Sequence, residues 1–316
     1  MDRIRLAYFT SFREILVDEK VSSVVVDPDT GQNYGYRTGN LEHMALMLAK
    51  PQDGHHPLAE EFAQAFELAM VFADDNNQFL DLARNIVHRW PLDATVPAND
   101  HQSASLEGLL VNVPSQQWRQ IKNPDQKKID KDKYEAQVLG HLIRNRVDLV
   151  VSDSYLTLFD RILLHSYWET ILNLHPAFTE IGNPNRLPGV TPTRDAYTKA
   201  KYGWIIIDDK KDKKTWPEGK PVDVEFEGRT RKAIPVPISY TTGVTVHVVD
   251  ENIDAGPVVM AVDHTFTSDA SYEKIRQGNY ERKLKLLPEA LLDYAKRPEV
   301  RSAIEFQRIR LLQRRV

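Results

Sequence analysis

The chain has 316 residues, of which 41% are hydrophobic, so it is long enough to bury a sizeable core. A formal net charge of −4 gives it no overall attraction to nucleic acid. No apolar run of about eighteen residues predicts a membrane-spanning helix. The sequence contains no cysteine, which excludes disulfides, thiolate nucleophiles and cysteine-bound zinc. Because the first residues also lack an apolar secretory segment, we expect a cytoplasmic protein.

The N-terminal part of the sequence predicts two strands followed by helices. Strands are predicted over residues 4–9 and 22–26, and the Gly- and Asp-rich residues 27–40 predict a loop or hairpin. Apolar residues at helical spacing then predict two helical faces. The first face comprises Leu58, Phe62, Ala65, Phe66, Ala69 and Met70, and the second comprises Phe79, Leu82, Ala83, Ile86 and Val87. Residues 91–133 are mixed in pattern, with loops marked by proline.

From residue 134 onward the sequence alternates between helices and strands, which favours a parallel sheet. The predicted helices span residues 134–145, 159–168, 193–201 and 272–294, and the predicted strands span residues 147–152 and 171–174. We therefore predict an α/β fold in which an open, mostly parallel Rossmann-like sheet is flanked by helices.

The predicted catalytic domain spans residues 1–297 and carries two insertions. The first, a large helical and loop insertion, covers residues 27–133, and the second covers residues 204–239. Within the second, the charged run Asp208–Lys214 predicts a solvated loop. Residues 298–316 have apolar positions at near-helical spacing, so we expect a C-terminal helical extension.

The segment of residues 171–177 combines a predicted strand with polar side chains. Because alternate residues of a strand face opposite sides, its two leucines are expected in the core, and Asn173 and His175 are expected to face a cleft. Pro176 ends the strand, and carboxyl ends of strands are where open α/β sheets place their sites. A carboxamide and an imidazole can donate to the oxygen that becomes negative when an amine attacks an acyl carbon.

A second segment, Thr242–Pro257, places a carboxylate after another predicted strand. Asp254 follows the apolar run Val244–Val249 and precedes Ala255–Pro257, a group that favours a turn. Such a carboxylate could accept the proton that the attacking amine loses, and could hold an imidazole in its charged form. Alone, a strand-end histidine or a turn aspartate is more often structural. The occurrence of both segments in one chain favours the catalytic interpretation.

Together with Pro188-Gly189-x-x-Pro192, these two segments resemble, in their order, the active-site signatures of the folate-dependent formyltransferases. The resemblance covers roughly residues 134–296. It implies transfer of a formyl group from 10-formyltetrahydrofolate to a small-molecule amine, without a metal and without a nucleic acid or membrane partner. The catalytic residues that it implies are Asn173, His175 and Asp254, with His247 orienting Asp254.

The resemblance also implies where the folate and the acceptor bind. The folate slot is expected between the loop after strand 147–152 and the segment that ends at Asp254. The implied folate contacts are Tyr155, Leu156, Thr157, Leu158, Asp250 and Ile253. Leu156 and Leu158 could equally be core residues at a helix start. The acceptor is implied to contact Ser11 and Gly189.

Branches of this family that formylate different amines differ in their loops, insertions and additional domains, and these differences predict the acceptor amine. The loop Thr10–Glu14 has no glycine that would let its backbone approach a phosphate, which disfavours glycinamide ribonucleotide. The stretch after Lys296 is too short for the tRNA-binding domain of methionyl-tRNA formyltransferases. Hydroxyornithine formyltransferases are similar in carrying a large insertion before the Asn-x-His motif, so N5-hydroxyornithine is the first hypothesis. The alternatives are a sugar-nucleotide N-formyltransferase, a glycinamide ribonucleotide formyltransferase, a formyltetrahydrofolate hydrolase and a non-catalytic folate-binding module.

Overall fold

Two units make up the chain, one of residues 1–172 and 288–316 and the other of residues 173–287. The division falls inside one strand and inside one long helix. The computed structural model describes residues 2–11, 25–26, 33–34, 40–53, 56–74, 95–97, 103–155, 157–210 and 213–313.

The first unit carries most of the parallel strands. Its strands are β1 (Ile4–Thr10), β2 (Val25–Val26), β3 (Asn33–Tyr34), β4 (Phe66–Ala73), β5 (Thr95–Pro97), β6 (Ser103–Ser105), β7 (Leu110–Asn112), β8 (Leu149–Asp153) and the start of β9 (Ile171–His175). Its helices are α1 (Asn40–Ala49), α2 (Ala59–Ala65), α3 (Gln116–Arg119), α4 (Pro124–Arg144), α5 (Arg161–Ser166), the end of α7 (Tyr272–Lys296) and α8 (Pro298–Gln313).

The second unit begins with the last three residues of β9. Its other elements are α6 (Pro192–Tyr202), β10 (Trp204–Ile206), β11 (Val222–Phe226), β12 (Arg229–Pro235), β13 (Thr241–Val248), β14 (Val258–Thr265) and most of α7. A small core of this unit packs Ala177, Leu187, Ala196, Ile205 and Ile275 together.

Seven strands are hydrogen-bonded in the order β14-β13-β9-β8-β1-β4-β7. The pairs β1–β4, β1–β8 and β4–β7 are parallel, and β13–β14 is antiparallel. Strands β1, β4 and β8 are buried along nearly their whole length, as expected for strands covered on both faces. The predicted α/β fold with a mostly parallel sheet is therefore confirmed.

The first predicted helical face, Leu58–Met70, is only partly helical, because its second half forms a strand. Helix α2 ends at Ala65, and Phe66, Ala69 and Met70 lie in β4, which pairs with β1. The sequence of β4, Phe66–Ala73, is apolar at nearly every position, so it fits helical spacing and a fully buried strand equally well. Pairing with β1 decides between them. The other predicted face, over residues 79–87, lies outside the described residues.

The mixed region of residues 91–133 contains regular structure. Strand β7 extends the parallel sheet, and α4 begins at Pro124, ten residues or so before the predicted helix start. Asn123 caps α4 by accepting hydrogen bonds from the backbone of Asp125 and Gln126, with Pro124 in the first turn. This Asn-Pro-Asp sequence is an ordinary helix start signal. Of the strand predicted over 22–26, Val25–Val26 forms β2.

The second insertion forms a three-stranded antiparallel sheet in the order β10-β12-β11. Its charged run is not a solvated loop throughout. Asp208 forms an ion pair with Arg231, at 2.7 Å, and Lys210 is buried. Asp195 of α6 pairs with Lys210, and Arg231 of β12 pairs with Asp208, so this part of the run forms an ordered network of ion pairs. The sequence alone did not indicate these pairs. Among the helices that the structure describes, none is long and apolar enough to cross a membrane.

Candidate active site

Strand β9 presents the predicted polar pair as alternation requires. Leu172 and Leu174 are buried, whereas Asn173 is half-buried. His175 differs from the expectation of an open cleft, because only 5% of it is exposed. Its Nε2 lies 2.9 Å from the carbonyl oxygen of Leu187. Since a carbonyl can only accept, Nε2 carries the proton and Nδ1 is left for another partner.

His247, on β13, is fixed by a bond to its own strand. Its Nδ1 donates to the carbonyl oxygen of Val248 at 3.0 Å. Nε2 is therefore the acceptor in the neutral ring, and the Nδ2 of Asn173 lies 3.2 Å from it. The side chains predicted from two distant segments are thus in contact within the second unit. His247 orients the Asn173 amide as well as facing Asp254.

Asp254 occupies the centre of this group. Its Oδ1 accepts a hydrogen bond from Asn173 Nδ2 at 3.3 Å and lies 3.5 Å from His247 Nε2. Its Oδ2 accepts from the Gly189 N–H at 2.7 Å and lies 3.6 Å from His175 Nδ1. The three residues predicted to be catalytic therefore converge on one point, together with His247 and Gly189.

The backbone of Asp254 is held in an unusual conformation. Its φ is 47°, in the left-handed region that non-glycine residues seldom adopt, although aspartate and asparagine tolerate it. The Arg186 Nη2 donates to the Asp254 carbonyl at 3.0 Å, and the Arg186 Nε donates to the Thr179 carbonyl. Backbone strain of this kind persists only where surrounding contacts fix it. Arg186 supplies one of those contacts.

The turn that follows Asp254 needs glycine for steric reasons. A Cβ on Gly256 would lie 1.9 Å from the carbonyl oxygen of Val248 and 2.9 Å from its carbonyl carbon. The same carbonyl oxygen accepts the hydrogen bond that fixes His247. Close backbone approach at Gly256 thus allows β13 and the Asp254 turn to pack together.

The surroundings of His175 and Asp254 lower the pKa of both side chains. Burial opposes ionisation of Asp254, but His175, His247 and the Gly189 N–H outweigh it, so the pKa of the Asp254 carboxyl lies well below its usual range. Burial lowers the pKa of His175, and the Asp254 carboxylate offsets only part of that effect. The expectation that Asp254 holds this imidazole charged is therefore wrong for the protein alone. At neutral pH a neutral imidazole faces a carboxylate, and the pair can accept a proton.

Two of the predicted folate contacts in the first unit, Tyr155 and Thr157, form hydrogen bonds to other side chains of that unit. The Tyr155 hydroxyl lies 2.7 Å from that of Tyr134. Thr157 donates from Oγ1 to Asp74 Oδ2 at 2.6 Å. Leu158 is exposed, which excludes the alternative that it is a core residue, and Leu156 lies outside the described residues.

The other predicted contacts belong to turns and buried bonds. Asp250 Oδ1 accepts from the Asn252 N–H at 2.8 Å, and Ile253 is half-buried. The fully buried Ser11 donates to Asp74 Oδ1 at 2.7 Å, so its hydroxyl is directed into the protein. Gly189 uses its N–H to hold Asp254. Gly189, predicted to contact the acceptor, therefore contacts the predicted catalytic carboxylate instead.

Sequence reasoning missed Arg186, Leu187 and Lys210. Leu187 acts through a carbonyl, which carries no sequence signal. Arg186 and Lys210 reach their partners across folded loops, and a single arginine or lysine in sequence is more often solvated. In the sequence, Arg186 lies close to Pro188–Gly189 and Lys210 lies in the charged run, and these positions were the only hints of a role in the site.

The sequence matches no protein-family model and no curated protein. Solved structures, however, match the fold of nearly the whole chain. PvdF of pyoverdin biosynthesis, described as a structurally unique N10-formyltetrahydrofolate-dependent formyltransferase, aligns with a TM-score of 0.67 and 23% identity, covering 94% of this chain and 100% of that one. The chain has the fold of the formyltransferases. The resemblance predicted from the two segments is thus confirmed at the level of the fold.

Glycinamide ribonucleotide transformylases share this fold more distantly. Transformylase 1 from Symbiobacterium toebii aligns with a TM-score of 0.51 and 15% identity, covering 93% of this chain and 88% of that one. Phosphoribosylglycinamide formyltransferase from Bacillus halodurans aligns with a TM-score of 0.50 and 16% identity, covering 91% and 93%.

Proposed function

We propose that this protein transfers a formyl group from 10-formyltetrahydrofolate to an amine. The observation that carries the proposal is the convergence of Asn173, His175 and Asp254, from segments far apart in sequence, on one buried carboxylate. These residue types supply an N–H donor for a developing oxyanion and an acceptor for the proton of the attacking amine. The formyltransferase fold of the chain supports the same reaction.

The chemistry assigns each group a part. The amine nitrogen attacks the formyl carbon. The Asn173 amide turns one of its two N–H groups away from His247 or Asp254 and donates it to the oxygen as that oxygen becomes negative. The proton released by the amine passes to Nδ1 of His175, whose charged form the Asp254 carboxylate stabilises. Breaking the bond between the formyl carbon and N10 of the folate, with return of a proton to that nitrogen, gives the formamide and tetrahydrofolate.

We infer that the acceptor is N5-hydroxyornithine and the product N5-formyl-N5-hydroxyornithine, a unit of hydroxamate siderophores. An alkyl ammonium has a pKa near the lysine reference of about 10.4, so the free amine is scarce at neutral pH. Hydroxylation of the nitrogen lowers its basicity and leaves more nucleophile. The likeness to PvdF of pyoverdin biosynthesis supports this choice. The buried Ser11, directed at Asp74, does not favour a phosphate-bearing acceptor.

The acceptor is tested by a screen of amines with 10-formyltetrahydrofolate. Tetrahydrofolate release is followed by absorbance and the formylated product by mass, with N5-hydroxyornithine, ornithine, glycinamide ribonucleotide and nucleotide-linked amino sugars. Turnover confined to N5-hydroxyornithine supports the proposal. Turnover on an amino sugar or on glycinamide ribonucleotide alone retains formyl transfer and overturns the acceptor. Formate release that no amine accelerates would identify a hydrolase instead.

A variant pair controls for the site. Asp254→Asn should reduce turnover by about a hundredfold or more. Asp269→Asn, at an exposed position of the same unit, should leave turnover unchanged. Equal activity of the two variants would place the reaction elsewhere. The folate contacts Tyr155, Thr157 and Leu158, the domain limits and a cytoplasmic location stay predictions.

A further inference from the structure

One peptide group connects a buried lysine to the carboxylate of the candidate site. The Pro188 carbonyl oxygen accepts a hydrogen bond from Lys210 Nζ at 3.3 Å. The N–H of that same peptide group, on Gly189, donates to Asp254 Oδ2 at 2.7 Å. Amide resonance links the oxygen and the N–H of one peptide group, so a cation on the oxygen strengthens the N–H as a donor.

The ammonium of Lys210 is fixed in this position. Its side chain is 3% exposed and pairs at 2.5 Å with Asp195, whose side chain is 1% exposed. Arg194, 3.7 Å from Asp195, is itself paired with Asp209. Burying a cation costs free energy unless it is paired, and a hydrophobic residue often serves stability equally well. Stability alone therefore gives no reason for a lysine at position 210.

The shape of the loop brings the ammonium against the peptide group. Gly189 has a φ of 96°, which requires glycine. A Cβ built on Gly189 would lie 3.8 Å from Lys210 Nζ and 3.7 Å from Thr215 Cγ2. The backbone of Gly189 therefore passes directly between the ammonium on one side and Asp254 on the other.

We propose that Lys210 is a positioning residue that polarises the Pro188–Gly189 peptide group and so strengthens the hydrogen bond from Gly189 to the Asp254 carboxylate. Lys210 thereby lets the insertion of residues 204–239 stabilise the ionised form of Asp254. Its effect on turnover rests on the formyl transfer proposed above. Its effect on the peptide group does not, so the two can fail separately.

The sequence offers a direct spectroscopic test. The chain contains a single Pro–Gly step, Pro188–Gly189. Protein labelled with carbonyl-¹³C proline and ¹⁵N glycine therefore gives one cross-peak in a carbonyl–amide correlation spectrum, and it reports both ends of this peptide group. Lys210→Met should move the ¹³C carbonyl and the amide proton upfield together, and Lys210→Arg should restore part of both shifts. An unchanged cross-peak in a folded Lys210→Met variant would overturn the proposal.

Turnover supplies the second readout. Weaker donation from Gly189 leaves Asp254 more basic, which favours the charged form of the neighbouring His175. Lys210→Met should therefore move the acid limb of the pH profile of kcat to higher pH, with little change in KM. The other titratable or charged groups that face this site are His247, Arg186 and Lys283, and they are unchanged in the variant. A lowered kcat with an unmoved acid limb would indicate a structural role only and would contradict the proposal.

Two further variants guard against misfolding. Lys210→Met leaves Asp195 buried without its cation, so a double variant Lys210→Met/Asp195→Leu replaces the ion pair by apolar groups. The double variant should fold and still show the upfield cross-peak. A wild-type cross-peak in the double variant would overturn the proposal. Lys232→Met, which removes an exposed lysine of β12 paired with Asp223, is the charge-matched control and should change neither readout.

Discussion

Nδ1 of His175 and Oδ2 of Asp254 lie 3.6 Å apart, with the other ring nitrogen of His175 committed to the Leu187 carbonyl. The ring therefore presents its basic nitrogen to the carboxylate. Burial lowers the pKa of the His175 imidazole and the neighbouring groups lower that of the Asp254 carboxyl, so at neutral pH the pair is ready to accept a proton.

Asp254→Asn should reduce kcat by about a hundredfold or more, because the amide cannot stabilise the charged His175. Asparagine tolerates the left-handed backbone at this position, so the fold should be kept. Steady-state kinetics and thermal unfolding followed by circular dichroism measure both effects. Turnover within a few-fold of wild type would remove Asp254 from its assigned part.

His175→Ala should also lower kcat by about a hundredfold or more, since it removes the proton acceptor. His165→Ala in α5 is the matched control, because His165 is exposed and lies in the first unit. The control should retain wild-type kcat and KM. Activity of His175→Ala equal to that of His165→Ala would contradict the mechanism.

The pH profile should reflect the lowered pKa of His175. Because the neutral ring must accept a proton, kcat/KM should stay level above the ordinary histidine pKa of about 6.5 and fall only at lower pH. In Asp254→Asn the residual activity should fall at a still lower pH, because the carboxylate that favours the charged ring is gone. Loss of wild-type activity already between pH 8 and pH 7 would contradict a neutral His175.

Gly256→Ala should destabilise the protein by about 3 kcal/mol or more and should lower kcat, because its Cβ would displace the Val248 carbonyl that fixes His247. Gly140→Ala in α4 is the matched control. A Cβ at Gly140 meets no atom within 4 Å, and replacing a helical glycine by alanine gains about 1 kcal/mol. Chemical denaturation of both variants measures the difference. Equal stability would mean that the close approach at Gly256 is unimportant.

Glu135 should make the protein less stable as pH rises. Burial raises the pKa of Glu135 to about 7, against a reference of 4.5, while its oxygens accept from the Asp160 and Leu163 N–H groups. The folded protein holds this proton more tightly than the unfolded chain. As the pH rises from about 4.5 to about 7, ionisation of Glu135 therefore lowers the free energy of unfolding by on the order of 3 kcal/mol.

Glu135→Gln should remove that pH dependence, although it loses one acceptor at every pH. The difference in free energy of unfolding between variant and wild type should therefore shift in favour of the variant from pH 5 to pH 8. Glu60→Gln, at an exposed position of α2, should track wild type throughout. A constant difference for Glu135→Gln would mean that this carboxyl ionises normally in the folded protein.

The positions of the strands around the site followed from the sequence wherever local pattern and packing agreed. Alternation in residues 171–175 predicted which side chains of β9 are buried, and the run before Asp254 predicted β13. The segment Phe66–Ala73 was different, because an apolar run satisfies a helix and a buried strand equally, and only pairing with β1 decides it.

The sequence by itself determined the residue types of the site and their two segments, because strand alternation and turn chemistry are local. Only the tertiary structure decided their states. It buried His175, bound its Nε2 to a carbonyl, and turned Lys210 from an apparently solvated charge into a buried cation on the Pro188–Gly189 peptide group. The physical reason is that desolvation and hydrogen-bond direction depend on groups brought close by folding, whose distances no local pattern specifies.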